Sequence, residues 1–162
     1  MMDQIAVWFA NTLGQVIPAE LLTFIVSLLP ILECRGGIVV GRLLGMPLAA
    51  TIIVSVIGNV LPIPFVLLFI RKIFHALRHR RFFGPIVQKL ENRAMKKSDA
   101  LKKGEFLGLL LFVGIPLPGT GAWTGALIAS LLGVNIRKAS LAILIGVAMA
   151  TTIMCLLMYG IL

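Results

Sequence analysis

The apolar positions of this chain fall in long continuous runs without strand-like alternation, so the runs read as helices. Residues 48–70, LAATIIVSVIGNVLPIPFVLLFI, and residues 139–161 are each long enough to cross a bilayer. Asn59, Pro62 and Pro64 mark a kink or break in the first of them. Two further apolar runs are interrupted: 21–45 at positions 30–37, and 106–133 by GIPLPGTG. Near the N-terminus, residues 2–17 place Ile5, Trp8, Phe9, Leu13 and Val16 on one helical face and Gln4, Asn11 and Gln15 on the other. That pattern predicts an amphipathic helix lying in a membrane interface and ending before Pro18. The chain therefore divides into an interfacial helix (1–20), a first unit (21–70), a polar connection (71–104) and a second unit (105–162).

The two units resemble each other. At an offset of 88 positions, Leu29, Pro30, Gly37, Leu43, Leu44, Gly45, Ile57 and Gly58 fall on Leu117, Pro118, Gly125, Leu131, Leu132, Gly133, Ile145 and Gly146, eight identities in 30 pairs. Leu and Ile match cheaply in an apolar chain, whereas one Pro and three Gly do not. This is an internal repeat, each copy an interrupted segment followed by a span.

Composition agrees with a membrane protein: 59% of residues are hydrophobic, against roughly 45–50% in soluble domains, and the mean hydropathy is +1.05. Cys34 and Cys155 stand in apolar surroundings and read as small buried hydrophobes. The N-terminus lacks the basic region and cleavage site of a signal peptide and is expected to be retained.

Of 15 Lys and Arg, 11 lie between positions 71 and 103, while the first 34 residues have none. Basic connections stay cytoplasmic, which places the N-terminus outside if the interrupted segments re-enter and do not span. If each interrupted segment is a re-entrant hairpin, each unit crosses once and the two enter from opposite sides. Arg137 and Lys138 then stand at the cytoplasmic start of the last span, as the same rule requires. The expected fold is an all-α integral membrane protein of two inverted-topology repeats, each a re-entrant helical hairpin (21–45, 106–133) followed by a transmembrane helix (48–70, 139–161). The alternative, four full spans, would set Glu33 and Arg35 near the bilayer centre at roughly 2.5–3.5 kcal/mol each. Attraction to anionic lipid headgroups accounts for the basic connection without nucleic acid.

The sequence "LLPILECRGGIVVGRLLG" puts two charges inside an apolar run. One reading is an ion pair of Glu33 with Arg35 that locks the hairpin tip, with Gly36 and Gly37 making the turn. The other is functional: Glu33 exchanges protons, and Arg35 holds an anionic headgroup. The second tip, PLPGTGAWTG, is uncharged. Pro116 and Pro118 force a non-helical path, Gly119 and Gly121 permit the turn, and Thr120 is placed to cap a helix starting near Ala122. A glycine-rich loop feeding a helix N-terminus is an anion site, and Trp123 and Thr124 would line it. Asn59 reads as an interhelical hydrogen-bonding residue before a substrate contact, and Arg42 as a side chain reaching the interface or a lipid phosphate. His75 and His79 make no metal site. No catalytic triad, carboxylate pair, P-loop or HExxH occurs, so neither an enzyme nor a cofactor is expected.

At PILECRGGIVVGRLLGMP and PLPGTGAWTGALIASLLG the chain resembles the bacterial and archaeal family of small multidrug export proteins, over nearly its whole length. That family is distantly similar to the DedA, or VTT, membrane proteins. These have two opposed re-entrant hairpins and are linked to proton-dependent drug and pH tolerance, to undecaprenyl phosphate flipping and to lipid scrambling. The resemblance implies a bacterial or archaeal plasma membrane and matches Glu33 to the acid of the first hairpin. It matches positions 116–121 to the second tip, where Ala122 and Trp123 stand in place of arginines that Arg35 would replace from the first hairpin.

The expected function is proton-coupled translocation of an amphipathic anionic substrate, such as a polyprenyl phosphate or phospholipid headgroup. Glu33 would carry the proton. Arg35, Gly36, Gly37, Pro116, Pro118, Gly119, Thr120, Gly121, Trp123 and Thr124 would bind the substrate, with Arg42 and Asn59 secondary. Two alternatives remain. One is proton-coupled export of cationic drugs, with Glu33 as counter-charge. The other is a non-transporting membrane-remodelling or scaffold protein acting through Arg78, Arg80 and Arg81. With so few crossings, a homo-oligomer is expected.

Overall fold

A computed structural model describes residues 2–14, 16–78, 104–117 and 119–160, with Gln88 and Asn92. The sequence also predicts a helix starting at Pro85, after Gly84; its first residues, with His79, Arg80, Arg81 and Pro118, lie outside the described residues. Eight helices are described: α1 (Met2–Leu13), α2 (Ala19–Leu28), α3 (Glu33–Leu43), α4 (Leu48–Val60), α5 (Ile63–Arg78), α6 (Glu105–Gly114), α7 (Ala122–Leu132) and α8 (Ile136–Tyr159).

Local chemistry sets most of these boundaries. Extended prolines, Pro18 and Pro47, precede α2 and α4, because the ring fixes φ and removes a donor the first turn does not need. Asn135 caps α8, its side-chain oxygen accepting the Arg137 N–H at 3.0 Å. Pro62 interrupts an otherwise apolar stretch from Leu48 to Ile70, dividing α4 from α5 at the expected place. That stretch and α8 are the two described helical segments long and apolar enough to cross a membrane.

The 88-residue offset reappears in the backbone. Helices α3 and α7 both end at a left-handed glycine, Gly45 and Gly133, each at φ 73°. In the first, the Met46 N–H donates to the Gly41 carbonyl at 2.9 Å; in the second, the Val134 N–H donates to Ala129 at 3.0 Å. Every member of one closure lies 88 positions from its counterpart, and both have the Schellman form. Paired glycines also do paired work. A Cβ on Gly37 of α3 would strike Ser27 of α2, and one on Gly125 of α7 would meet Val113 of α6 at 2.7 Å. Gly58 and Gly146 let α4 and α8 approach the carbonyls of Phe24 and Leu110 in the same way.

Replacing Gly37 with alanine is therefore expected to force α3 off α2 and cost about 1–3 kcal/mol. Thermal unfolding in mild detergent reads the loss. Gly45→Ala, whose added Cβ meets no atom within 4 Å, would report left-handed strain without a clash.

Each long apolar stretch packs first on its own helix pair and then on the other. Helix α4 lies on α2 and α3 while α5 continues onto α7, where the Ser130 hydroxyl donates to the Leu67 carbonyl at 3.2 Å. Helix α8 packs on α6 and then on α3. Two apolar clusters result. One gathers Leu109, Val113, Ala126 and Ile143 with Ile63, Val66 and Leu67 of α5; the other gathers Leu22, Val26, Ile38 and Val40 with Met154 and Cys155 of α8. Cys34 and Cys155 are both buried within them. Outside, Ile53, Ile57, Phe65, Phe69, Leu144 and Leu157 are exposed on the long stretches, an apolar surface suited to lipid.

Helix α1 departs from its expected pattern. It ends at Leu13, and Ala6 and Ala10 form its buried stripe, with Phe9 and Leu13 partly covered. Trp8 and Val16 are exposed. Small alanines win the inner face because α1 packs closely against α3, which leaves no room there for the indole.

Candidate functional site

Helix α3 is buried from Glu33 through Gly41, so its two tip charges sit inside the protein. Among the described residues they do not pair with each other. The turn of the first helix pair is made by residues 29–32. Gly36 and Gly37, expected to form it, lie within α3 as packing positions.

Glu33 reaches across to the second helix pair. Its carboxylate accepts the Ala122 N–H on Oε2 at 3.1 Å and the Trp123 N–H on Oε1 at 3.0 Å. These are the first two amides of α7, which no intrahelical carbonyl can serve. The negative charge also meets the positive end of the helix dipole. Thr120 was the expected cap, yet α7 begins after Gly121 with no side-chain cap of its own. The Thr120 hydroxyl turns back to the Ile115 and Leu117 carbonyls at 3.0 and 2.8 Å, leaving the cap to a residue 89 positions away.

Two backbone features make that reach fit. Glu33 is the one non-glycine residue with positive φ among those described, at 54°, a left-handed conformation costing about 1–2 kcal/mol. Two charge-assisted hydrogen bonds at roughly 1.5–3 kcal/mol each outweigh it. Gly121, at φ 138°, supplies the cradle: a Cβ there would collide with the Glu33 carboxylate.

Arg35 does the converse on the α6 side of the same loop. Its Nη1 donates to the Leu117 and Thr120 carbonyls at 3.0 and 3.3 Å, and its Nη2 to Val113 and Ile115 at 3.0 and 3.3 Å. Both nitrogens also lie within 3.4 Å of Thr120 Oγ1. The guanidinium thus gathers carbonyls where α6 ends and its dipole is negative. The planar fork suits this; an ammonium would not. One side chain of α3 holds the start of α7, and another holds the end of α6.

The other expected positions distribute around this brace. Pro116, Gly119 and Thr120 form the loop that Arg35 grips, Gly119 at φ 77°. Trp123 contributes its backbone N–H, while its indole nitrogen is buried without a partner. Thr124 is half-buried in the first turn of α7. The loop-to-helix junction expected to receive an anion is filled by the chain's own Glu33 carboxylate. Arg42 points to α8, its Nε donating to the Met158 carbonyl at 3.3 Å and its guanidinium lying 5.1 Å from the Tyr159 ring centre. The Tyr159 hydroxyl in turn lies 2.8 Å from Thr51 Oγ1.

A second polar group lies behind the brace. Asn59 is fully buried, no oxygen or nitrogen serves either polar atom of its amide, and its neighbour across the helix interface is the Cys34 thiol of α3; Ser55 Oγ and Thr151 Oγ1 are buried and unpartnered by oxygen or nitrogen as well. The Cys34 thiol lies beside Asn59 and Thr151. Each such group costs roughly 1–3 kcal/mol. Of these, only Asn59 stands out at first sight in the sequence. The signal for Ser55 was its place four residues before Asn59 and four after Thr51, a polar stripe on an otherwise apolar helix.

Comparison with curated proteins and with solved structures returns no match. A family model described as "Putative small multi-drug export protein" matches residues 33–153, from the brace carboxylate nearly to the end of α8. By that match, over a chain with an apolar exterior and two helical stretches of membrane-crossing length, the protein belongs to this family of small multidrug export membrane proteins.

Proposed function

We propose that the protein exports small amphipathic cations in exchange for protons, and that the Glu33–Arg35 brace is the gate. Support for the architecture comes from helix length: α2, α3, α6 and α7 have 10 or 11 residues. At 1.5 Å per residue each is about half the thickness of the roughly 30 Å hydrocarbon layer. Two such arms suit a hairpin that enters and leaves by one face. The 88-residue repeat with charges at the tips then suits an inverted pair meeting near mid-membrane. In a bacterial or archaeal plasma membrane, the basic connection supports a cytoplasmic side for positions 71–104. A second copy of the chain would complete the wall of a pathway that two crossings enclose only in part.

The observation that carries the reading is the Glu33 carboxylate on the amides of Ala122 and Trp123. A proton or a cationic substrate competes for that carboxylate with the N-terminus of α7. Either one weakens the cap and frees the second hairpin from the first. Arg35 keeps its charge throughout and restores the closed arrangement when Glu33 is ionised again. Translocation of an anionic headgroup would need the α7 N-terminus and Arg35, and here both are engaged by the chain itself.

Proteoliposomes with an imposed pH gradient test this by uptake of radiolabelled ethidium, beside a fluorescent polyprenyl phosphate in parallel vesicles. Wild type is expected to move ethidium, and Glu33→Gln to lose at least tenfold of the gradient-driven rate. Movement of the polyprenyl phosphate alone, or full ethidium transport by Glu33→Gln, would overturn the proposal.

A further inference from the structure

Between α4 and α8 runs a cavity of about 390 Å³, with Ile52, Val56 and Val60 on one wall and Val147, Thr151 and Cys155 on the other. Its volume falls in the range of drug-sized binding sites, which combine an apolar lining with a few placed polar groups. This one has its polar group at hand. Thr151 lines the cavity, and its hydroxyl oxygen is buried with no hydrogen-bond partner. Beside the same Cys34 thiol lies Asn59, 0% exposed and with its amide oxygen and nitrogen both unpartnered. Ser55 adds a third unpartnered oxygen one turn earlier on α4. Buried polar atoms in native proteins nearly always have partners, so the Thr151 oxygen left open at the wall of the groove marks where a ligand's donor belongs.

We propose that this groove is the cargo site. It takes an amphipathic cation whose apolar body lies between α4 and α8 and whose N–H donor reaches Thr151 Oγ1. The inference rests on the export reading and adds to it where the substrate sits and what chemistry selects it. Cys34 links the groove to the gate, because it stands between Glu33 and Arg35 in the chain and beside Thr151 and Asn59 in space. Cargo in the groove therefore acts on the residue that separates the two brace charges. The groove's lining offers no cation to pair with a phosphate, and its polar side chains are the hydroxyls of Thr151 and Thr152, which can accept.

Binding to the full chain in lipid nanodiscs tests the site with two probes. Ethidium carries aromatic N–H donors, and methyltriphenylphosphonium is an amphipathic cation with none. Ala148→Phe fills the groove from an exposed position and is expected to weaken both probes at least tenfold. Thr151→Val keeps the shape and removes the hydroxyl. It is expected to weaken ethidium about three- to tenfold, the effect of one hydrogen bond, and to leave methyltriphenylphosphonium within twofold. Thr152→Val removes a hydroxyl already spent on the Ala148 carbonyl and is expected to leave both probes within twofold. Unchanged ethidium binding in Ala148→Phe, equal effects of Thr151→Val on both probes, or displacement of ethidium by added phospholipid alone would overturn the assignment. Groove-dependent binding without gradient-driven transport would leave the site standing and remove the export reading. Transport indifferent to Ala148→Phe and Thr151→Val would do the reverse.

Discussion

Arg35→Ala is expected to be among the most damaging single substitutions in the chain, lowering stability by about 3–5 kcal/mol. The guanidinium donates to the carbonyls of Val113, Ile115, Leu117 and Thr120, and alanine leaves all four without it at the end of α6. The same change withdraws the positive charge nearest to Glu33, whose carboxylate then caps α7 without its electrostatic complement. Arg35→Lys should recover less than half of the loss, since one ammonium cannot reach carbonyls on both sides of the loop. Thermal unfolding in detergent orders the three proteins. Equal stability of Arg35→Lys and wild type would show that charge alone matters and that the fork geometry does not.

Gly121→Ala should follow closely, at about 2–4 kcal/mol, by way of a residue it does not resemble chemically. The added methyl falls on the Glu33 carboxylate and must displace it from the amides of Ala122 and Trp123. Two causes contribute, the collision and the cost of a side chain at φ 138°. A double-mutant cycle separates them. In a Glu33→Ala background there is no carboxylate to displace, so the same substitution is expected to cost only the backbone part, about 1 kcal/mol. Strict additivity of the two changes would mean that Gly121 and Glu33 do not share a site.

Much of the fold was legible because lipid as a solvent leaves few choices. The runs at 48–70 and 139–161 became α4–α5 and α8 with the break at Pro62, and the interrupted segments became helix pairs. The 88-residue repeat proved sharper in structure than in sequence. Gly45 and Gly133 share one φ, and Gly37 and Gly125 perform one packing task, although Arg42 and Ser130 stand at matching positions with different roles. The site was legible in its residues and not in its connections. Sequence neighbours invite pairing, so Glu33 and Arg35 read as partners for each other. The ends of α6 and α7 outbid that pairing, because unserved backbone groups of opposite sign lay within reach of opposite charges. Thr120 failed as a cap for the same reason, its hydroxyl being taken by the loop around Arg35. Thr151 gave no signal at all, since a threonine in an apolar helix ordinarily bonds to its own backbone, as the adjacent Thr152 does to the Ala148 carbonyl, and an open oxygen shows only in three dimensions.

The cross-repeat cap is the contact on which the proposed gate rests, and the amides of Ala122 and Trp123 report it directly. With selective ¹⁵N labelling of alanine and tryptophan in detergent-solubilised protein, both amide protons are predicted to resonate downfield, bonded to a carboxylate. Both should shift upfield in Glu33→Gln while the alanines of α8 stay in place. Unmoved Ala122 and Trp123 resonances in that variant would contradict the cap, and with it the gate.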